Sequence, residues 1–128
     1  MRLAVDTNAY TAFCKSDPRA IEGIQKADEI ILPLMAVAEL RAGFSVGRKG
    51  DENERVLQRF LNSKRVFIKN PNEDTSYIYA RLFSYLRGKG TPIPINDLWI
   101  ASITLQNDAT LMTFDQHFEV LPQIPRWC

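Results

Sequence analysis

Arg2-Leu3-Ala4-Val5-Asp6 reads as a short apolar strand that ends on an acid. Similar apolar runs return along the chain: Glu29 to Leu32, stopped by Pro33, then Arg65 to Lys69, then Ala109 to Met112. None alternates apolar with polar residues, so each is expected to be buried on both faces. Helical patterns lie between them. Asp17-Pro18 is a helix start, with Asp17 as cap and Pro18 at the first helical position. That helix is predicted to reach about Lys26, with Ile21 and Ile24 inward. Leu34 to about Val46 repeats Leu34, Val37, Ala38 and Leu40 near the helical period. After a turn at Gly47 to Gly50, Asp51 to Asn62 puts Val56, Leu57, Phe60 and Leu61 on one stripe. Glu73 to Arg87 is expected to turn Ile78, Leu82, Phe83 and Leu86 inward, and Gly88 to Pro94 is a loop. Asn96 to about Gln106 is apolar nearly all round, as a buried helix is. Asp115 to Phe118 is a short turn or helix, and Pro122 and Pro125 weaken any final edge strand. Strands alternating with helices predict an α/β fold, a short parallel sheet covered on both faces.

The 128 residues are expected to form one domain, 1–128, with no repeat or linker. A chain of that size buries about two-thirds of its unfolded surface and needs no disulfide or metal staple. Cys14 and Cys128 are read as two free or buried thiols in a reducing compartment. The longest apolar run, Ile30 to Ala38, contains Pro33 and falls far short of the about 20 residues of a membrane helix. Asp6 falls where a signal peptide would be apolar, so the chain is expected in the cytoplasm, with no membrane partner.

A net charge of +1 excludes a protein that coats polyanions. It also conceals a basic middle. Residues 41–65 carry seven Lys and Arg against three acids, whereas residues 1–40 and 101–128 are each net −2. Arg41, Arg48, Lys49, Arg55 and Arg59 are either a solvated helical face or a rim that contacts a phosphate backbone.

There is one histidine, His117, and no Cys-x-x-Cys, so the usual zinc sites are excluded, a Ser-His-Asp or Cys-His triad would depend on that one residue, and carboxylates are expected to carry any chemistry. In a parallel α/β sheet the site lies beyond the carboxyl ends of the strands. Asp6 and Asp115 sit there, just past two of the predicted strands. Asp97 opens the buried helix, and Glu39 is the single acid in the stretch Leu34 to Leu40. Each has an ordinary alternative. Asp6 can cap the helix that follows, Asp97 can be a first-turn acid, Asp115 a turn residue, and Glu39 a partner of Arg2 or Arg41. Brought together, they must either take up protons or bind a cation: two carboxylates about 4 Å apart repel by roughly 4 kcal/mol at an effective dielectric near 20. Oxygen ligands select Mg²⁺ or Mn²⁺, which suits phosphodiester hydrolysis.

Four segments carry a resemblance: Val5-Asp6-Thr7-Asn8, Glu39-Leu40-Arg41-Ala42-Gly43, Asn96-Asp97-Leu98-Trp99-Ile100-Ala101 and Thr113-Phe114-Asp115-Gln116-His117-Phe118. In order and over essentially the whole chain they resemble the PIN-domain ribonucleases. More narrowly, they resemble the VapC toxins of type II toxin–antitoxin pairs. The resemblance implies an α/β/α sandwich and a Mg²⁺- or Mn²⁺-dependent endoribonuclease acting on tRNA or ribosomal RNA. Position by position it makes Asp6, Glu39, Asp97 and Asp115 the acidic quartet. Asp6 and Asp97 would ligate the ion, Asp115 would do so directly or through water, and Glu39 would orient the water or a second ion. Thr7, Asn8, Asn96 and Thr113 would support the site. A small VapB-like antitoxin is implied, its C-terminal tail over the cleft and a basic residue reaching the carboxylates. A homodimer is also implied, with contacts expected on the exposed side of helices 34–46 and 51–62.

The chain departs from the pattern at Thr104, where a small apolar residue is usual, and at His117, where many relatives place an acid. His117 is read as a surface residue, with contact to the scissile phosphate as the other reading. Other classes fit worse. A phosphoacceptor receiver needs an acidic pair after the first strand and a late Lys, but Asp6 stands alone and no Lys follows Lys89. A haloacid-dehalogenase-type phosphatase needs Asp at position 8, which is Asn. A catalytically weak subunit that binds RNA or protein is the remaining alternative.

Overall fold

The computed structural model describes residues 1–127; Cys128, and with it the reading of its thiol, lies outside the described residues. In chain order the elements are β1 (Arg2–Val5), α1 (Thr7–Cys14), α2 (Pro18–Lys26), β2 (Glu29–Pro33), α3 (Leu34–Val46), α4 (Gly50–Leu61), β3 (Val66–Lys69), α5 (Glu73–Lys89), α6 (Ile95–Gln106), β4 (Thr110–Met112), a short 3₁₀ helix (Gln116–Val120) and β5 (Arg126–Trp127). The strands form one parallel sheet in the order β3-β2-β1-β4-β5.

Successive strand residues feed opposite cores. Leu3, Val5, Ile30, Leu32 and Met112 pack with Ala20, Ile24, Val37 and Leu57 beneath α1 to α4. Ala4, Ile31 and Leu111 pack with Leu82, Leu86, Ile100 and Ile103 beneath α5 and α6. The result is the expected α/β/α sandwich, and both faces of β1 are sealed because Leu3, Ala4 and Val5 are fully buried.

Local chemistry sets the ends of the helices. Asp17 caps α2 by accepting from the amides of Arg19 (2.9 Å) and Ala20 (3.1 Å), with Pro18 next to it. α5 runs past the expected Arg87 because Gly90, at φ +70°, is the residue that can close it in the left-handed region. α4 begins already at Gly50, whose missing side chain admits the Phe44 carbonyl; a Cβ there would lie 2.5 Å from that oxygen.

Three expectations are corrected. β3 is an edge strand, so Phe67 and Ile68 are about two-fifths exposed rather than buried. Phe83 is half-exposed, because the buried stripe of α5 runs through Leu82 and Leu86 and Phe83 rides its margin, stacked on Tyr79. A final strand does form. Its two residues lie just past Pro125, whose carbonyl accepts from the Leu111 amide (2.8 Å), and the Trp127 indole donates to the Arg19 carbonyl (3.1 Å). Cys14 is free and exposed, in line with a thiol reading.

Candidate active site

β1 and β4 are neighbours, with Val5 opposite Met112, and both release the chain at the same edge of the sheet. β2 and β3 extend to one side of β1, and β4 and β5 to the other. That reversal opens a crevice beyond the carboxyl ends of the strands. All four candidate acids line it, together with Thr7, Asn8, Asn96 and His117, and Pro94, Ile95 and Ile100 form its apolar wall.

Asp6 follows β1 directly and is buried, 4% exposed. It caps α1 by accepting from the Ala9 amide (2.8 Å), so the ordinary reading and the site reading of this residue are both realised. Burial, and after it the charges of Asp97 and Asp115, lift its pKa from 3.8 to about 6 against the pull of the Thr113 hydroxyl and the Ala9 amide. Asp97 lies in the first turn of α6. Burial raises its pKa, Asp115 and Glu39 add to the rise, and His117 opposes it. Asp115 caps the 3₁₀ helix by accepting from the His117 amide (2.9 Å), while its own amide donates to the buried Thr113 hydroxyl (3.0 Å). Glu39 reaches the cleft from α3, and its Oε1 accepts from the Thr7 hydroxyl (2.8 Å).

Neither suggested arginine partners Glu39. The Arg2 guanidinium donates to the Asn107 carbonyl (2.6 Å) and lies 3.4 Å from Glu29. Arg41 makes a two-pronged contact with Glu54, at 3.0 and 3.1 Å. That pairing takes Arg41 out of the set of free cations. None of the five basic residues lines the acidic cleft. Arg48 and Lys49 sit with Arg41 around the α3–α4 turn, and Arg55 and Arg59 are exposed on α4. The basic zone is therefore adjacent surface rather than the cleft's own rim.

His117 is a surface residue, as expected, but its exposed ring faces the acidic cleft. Its ring is half-exposed, yet Nδ1 lies 2.8 Å from Asp97 Oδ2 and 3.2 Å from Asp115 Oδ1. The contact to Asp97 raises the imidazole's pKa.

Grouped carboxylates that hold one another's protons, with several hard oxygen donors aimed into one cleft, fit a divalent cation. The donor set contains no thiolate, which sets aside soft ions. Asp97, Asp115 and His117 each offer a donor atom, and these atoms all lie within 4.8 Å of one another.

A parallel α/β/α sandwich with acids gathered at its carboxyl edge is the architecture of a PIN domain, and the family model of that description matches residues 3–123. Ribonuclease VapC2 of Rickettsia felis is 31% identical over 125 residues, covering 94% of this chain and 92% of that protein. Ribonuclease VapC1 of Haemophilus influenzae strain R2866 is 30% identical over 113 residues, covering 85% and 83%. The chain belongs to the PIN-domain family, on its VapC ribonuclease branch. The crystal structure of VapBC2 from Rickettsia felis bound to a DNA fragment from their promoter matches with a TM-score of 0.85 at 28% identity, over 98% of this chain and 97% of that one. Among the described residues no helix is long and apolar enough to cross a membrane.

Proposed function

We propose that the chain, acting as one domain in the cytoplasm, is a metal-dependent endoribonuclease and the toxin of a VapBC-type pair. The observation that carries this reading is the convergence of Asp6, Glu39, Asp97 and Asp115 on one cleft of a VapC-family chain. Asp6, Asp97 and Asp115 would hold Mg²⁺ or Mn²⁺. When bound, such an ion supplies Lewis acidity toward a water and toward a phosphodiester oxygen.

The remaining work falls to the chain. The cap on α1 fixes Asp6, and the Thr113–Asp115 and Asp115–His117 hydrogen bonds fix Asp115. Thr7 holds Glu39 in one orientation, which suits a carboxylate that accepts a proton from the attacking water. Asn8 and Asn96 offer neutral amides at the mouth, where they can position a ribose or phosphate oxygen without adding charge. Arg48, Lys49, Arg55 and Arg59 are proposed to hold the flanking RNA backbone.

The negative cleft also favours a partner with a cationic tail, which is the role proposed for a VapB-like antitoxin. The chain is further proposed to pair with a second copy. Of the two helices expected to carry that contact, α3 exposes Leu34 and Val46, whereas the other large exposed apolar side chains among the described residues are Met1 and side chains on β3, α5 and α6.

The test is cleavage of total tRNA and ribosomal RNA by purified, partner-free protein with Mg²⁺ or Mn²⁺, with EDTA, and with Asp97→Asn. Discrete products that disappear with the chelator and in the variant are expected. A folded, metal-loaded protein that cuts none of these RNAs would favour the binding-subunit reading instead.

A further inference from the structure

We infer that His117 is itself a ligand of the cleft's metal ion, through Nδ1, alongside Asp97 and Asp115. This deepens the metal-dependent reading above and rests on it. The geometry carries the inference. Nδ1 stands 2.8 Å from Asp97 Oδ2 and 3.2 Å from Asp115 Oδ1. Adjacent donors on an octahedral ion with bonds of about 2.1 Å lie about 3 Å apart, the bond length times the square root of two. The imidazole nitrogen therefore already sits at the spacing that two neighbouring ligands of one ion require.

The ring is also held there by the chain rather than by chance of rotamer. Asp115 Oδ1 accepts from the His117 amide (2.9 Å), which pins the backbone of the turn. Phe118, the next residue, is fully buried and anchors the turn in the core. Among the described residues the imidazole's hydrogen-bond partner is Asp97. The ring thus has no second polar group pulling it out of the cleft. The alternative role, contact with the scissile phosphate, would leave Nδ1 between two carboxylates and ask Nε2 alone to reach the RNA.

A nitrogen donor changes which ion the site prefers. Mg²⁺ favours an all-oxygen shell, whereas imidazole suits first-row transition ions. The site is thereby tilted from Mg²⁺ toward Mn²⁺ and its later neighbours.

The experiment is pulsed electron paramagnetic resonance of Mn²⁺ added to the full-length, partner-free protein, with Mn²⁺ and Mg²⁺ affinities measured by calorimetry. The wild-type spectrum is expected to show nitrogen-14 modulation from a directly bound imidazole, and His117→Ala to abolish it. Removing a group that merely supports a ligand lowers metal affinity about 10- to 100-fold, so loss of a direct ligand should weaken Mn²⁺ by at least about tenfold, and Mg²⁺ by less. Because the ring is half-exposed, the variant should still fold, losing at most the modest stabilisation of the His117–Asp97 contact in metal-free protein. Mn²⁺ bound at the cleft with no nitrogen modulation overturns the ligand assignment and leaves the carboxylate-metal reading standing. No Mn²⁺ bound at all overturns both. The wild-type spectrum decides the question even if the variant folds poorly.

Discussion

The Asp6 carboxylate does two jobs that favour the same charge state for opposite reasons of cost. As a cap it accepts from Ala9, and as a ligand it must be ionised, yet it is buried beside two other acids. Its pKa is about 6 in the folded chain against an ordinary 3.8. Stability from this group is therefore fully present below the unfolded value and is lost as pH rises through the folded one. A displacement of that size is worth roughly 3 kcal/mol. Asp97, raised chiefly by burial, and His117, raised by Asp97, change stability in the same direction. Metal-free protein is expected to melt lower at about pH 7.5 than at about pH 5, and Mn²⁺ to remove most of that difference. Asp6→Asn keeps the cap, since Asn caps as well as Asp, and removes the charge. It should stabilise the metal-free protein at neutral pH by about 1–3 kcal/mol while abolishing cleavage. Thermal melts of both proteins across this pH range check the claim; a variant that melts below wild type at neutral pH contradicts it.

At the scale of elements, the far side of the sandwich is tied by one polar knot. Asn72 caps α5 by accepting from the Thr75 amide (3.1 Å), and Gln106 at the end of α6 donates to the same Asn72 oxygen (3.0 Å). Thr75 is fully buried and returns the contact by accepting from the Asn72 amide (2.9 Å). Asn72→Ala therefore loses a cap and an inter-helix bond together, and should lower stability by about 1–2 kcal/mol with cleavage unchanged; denaturant unfolding measures it. Helices such as α2 and α6 were legible because their signals are local, a cap with proline in one and an all-apolar surface in the other. The exposure of Phe67 was not, because strand order decides which run lies at the edge, and order is set by packing among distant segments. Asp6 and Asp115 were legible as positions at strand ends, Asp97 as the acid opening a buried helix, and Glu39 as the single acid in an apolar stretch. The His117 contact was not, because it depends on the turn made by Asp115 and on where α6 delivers Asp97.

At the scale of the whole molecule, the candidate acids and the candidate RNA-contacting cations occupy different surfaces. Asp6, Glu39, Asp97 and Asp115 line the cleft, and Arg48, Lys49, Arg55 and Arg59 lie on α4 and the turn before it. If those cations grip RNA, reversing Arg48 and Lys49 to Glu should weaken binding and reduce the slope of log affinity against log salt by about 1 to 2, measured in an Asp97→Asn background to prevent cutting. An unchanged slope would make them plain surface charges. The gathering of the four acids has one further consequence, in time rather than in space. They are drawn from residue 6 to residue 115, with two of them in the last third of the chain. A chain built from its N-terminus lays down β1, β2 and β3 before it owns either Asp97 or Asp115. The cleft is thus completed only after these three strands have been made, and a copy halted before Asp97 holds part of the scaffold of the site without its full chemistry.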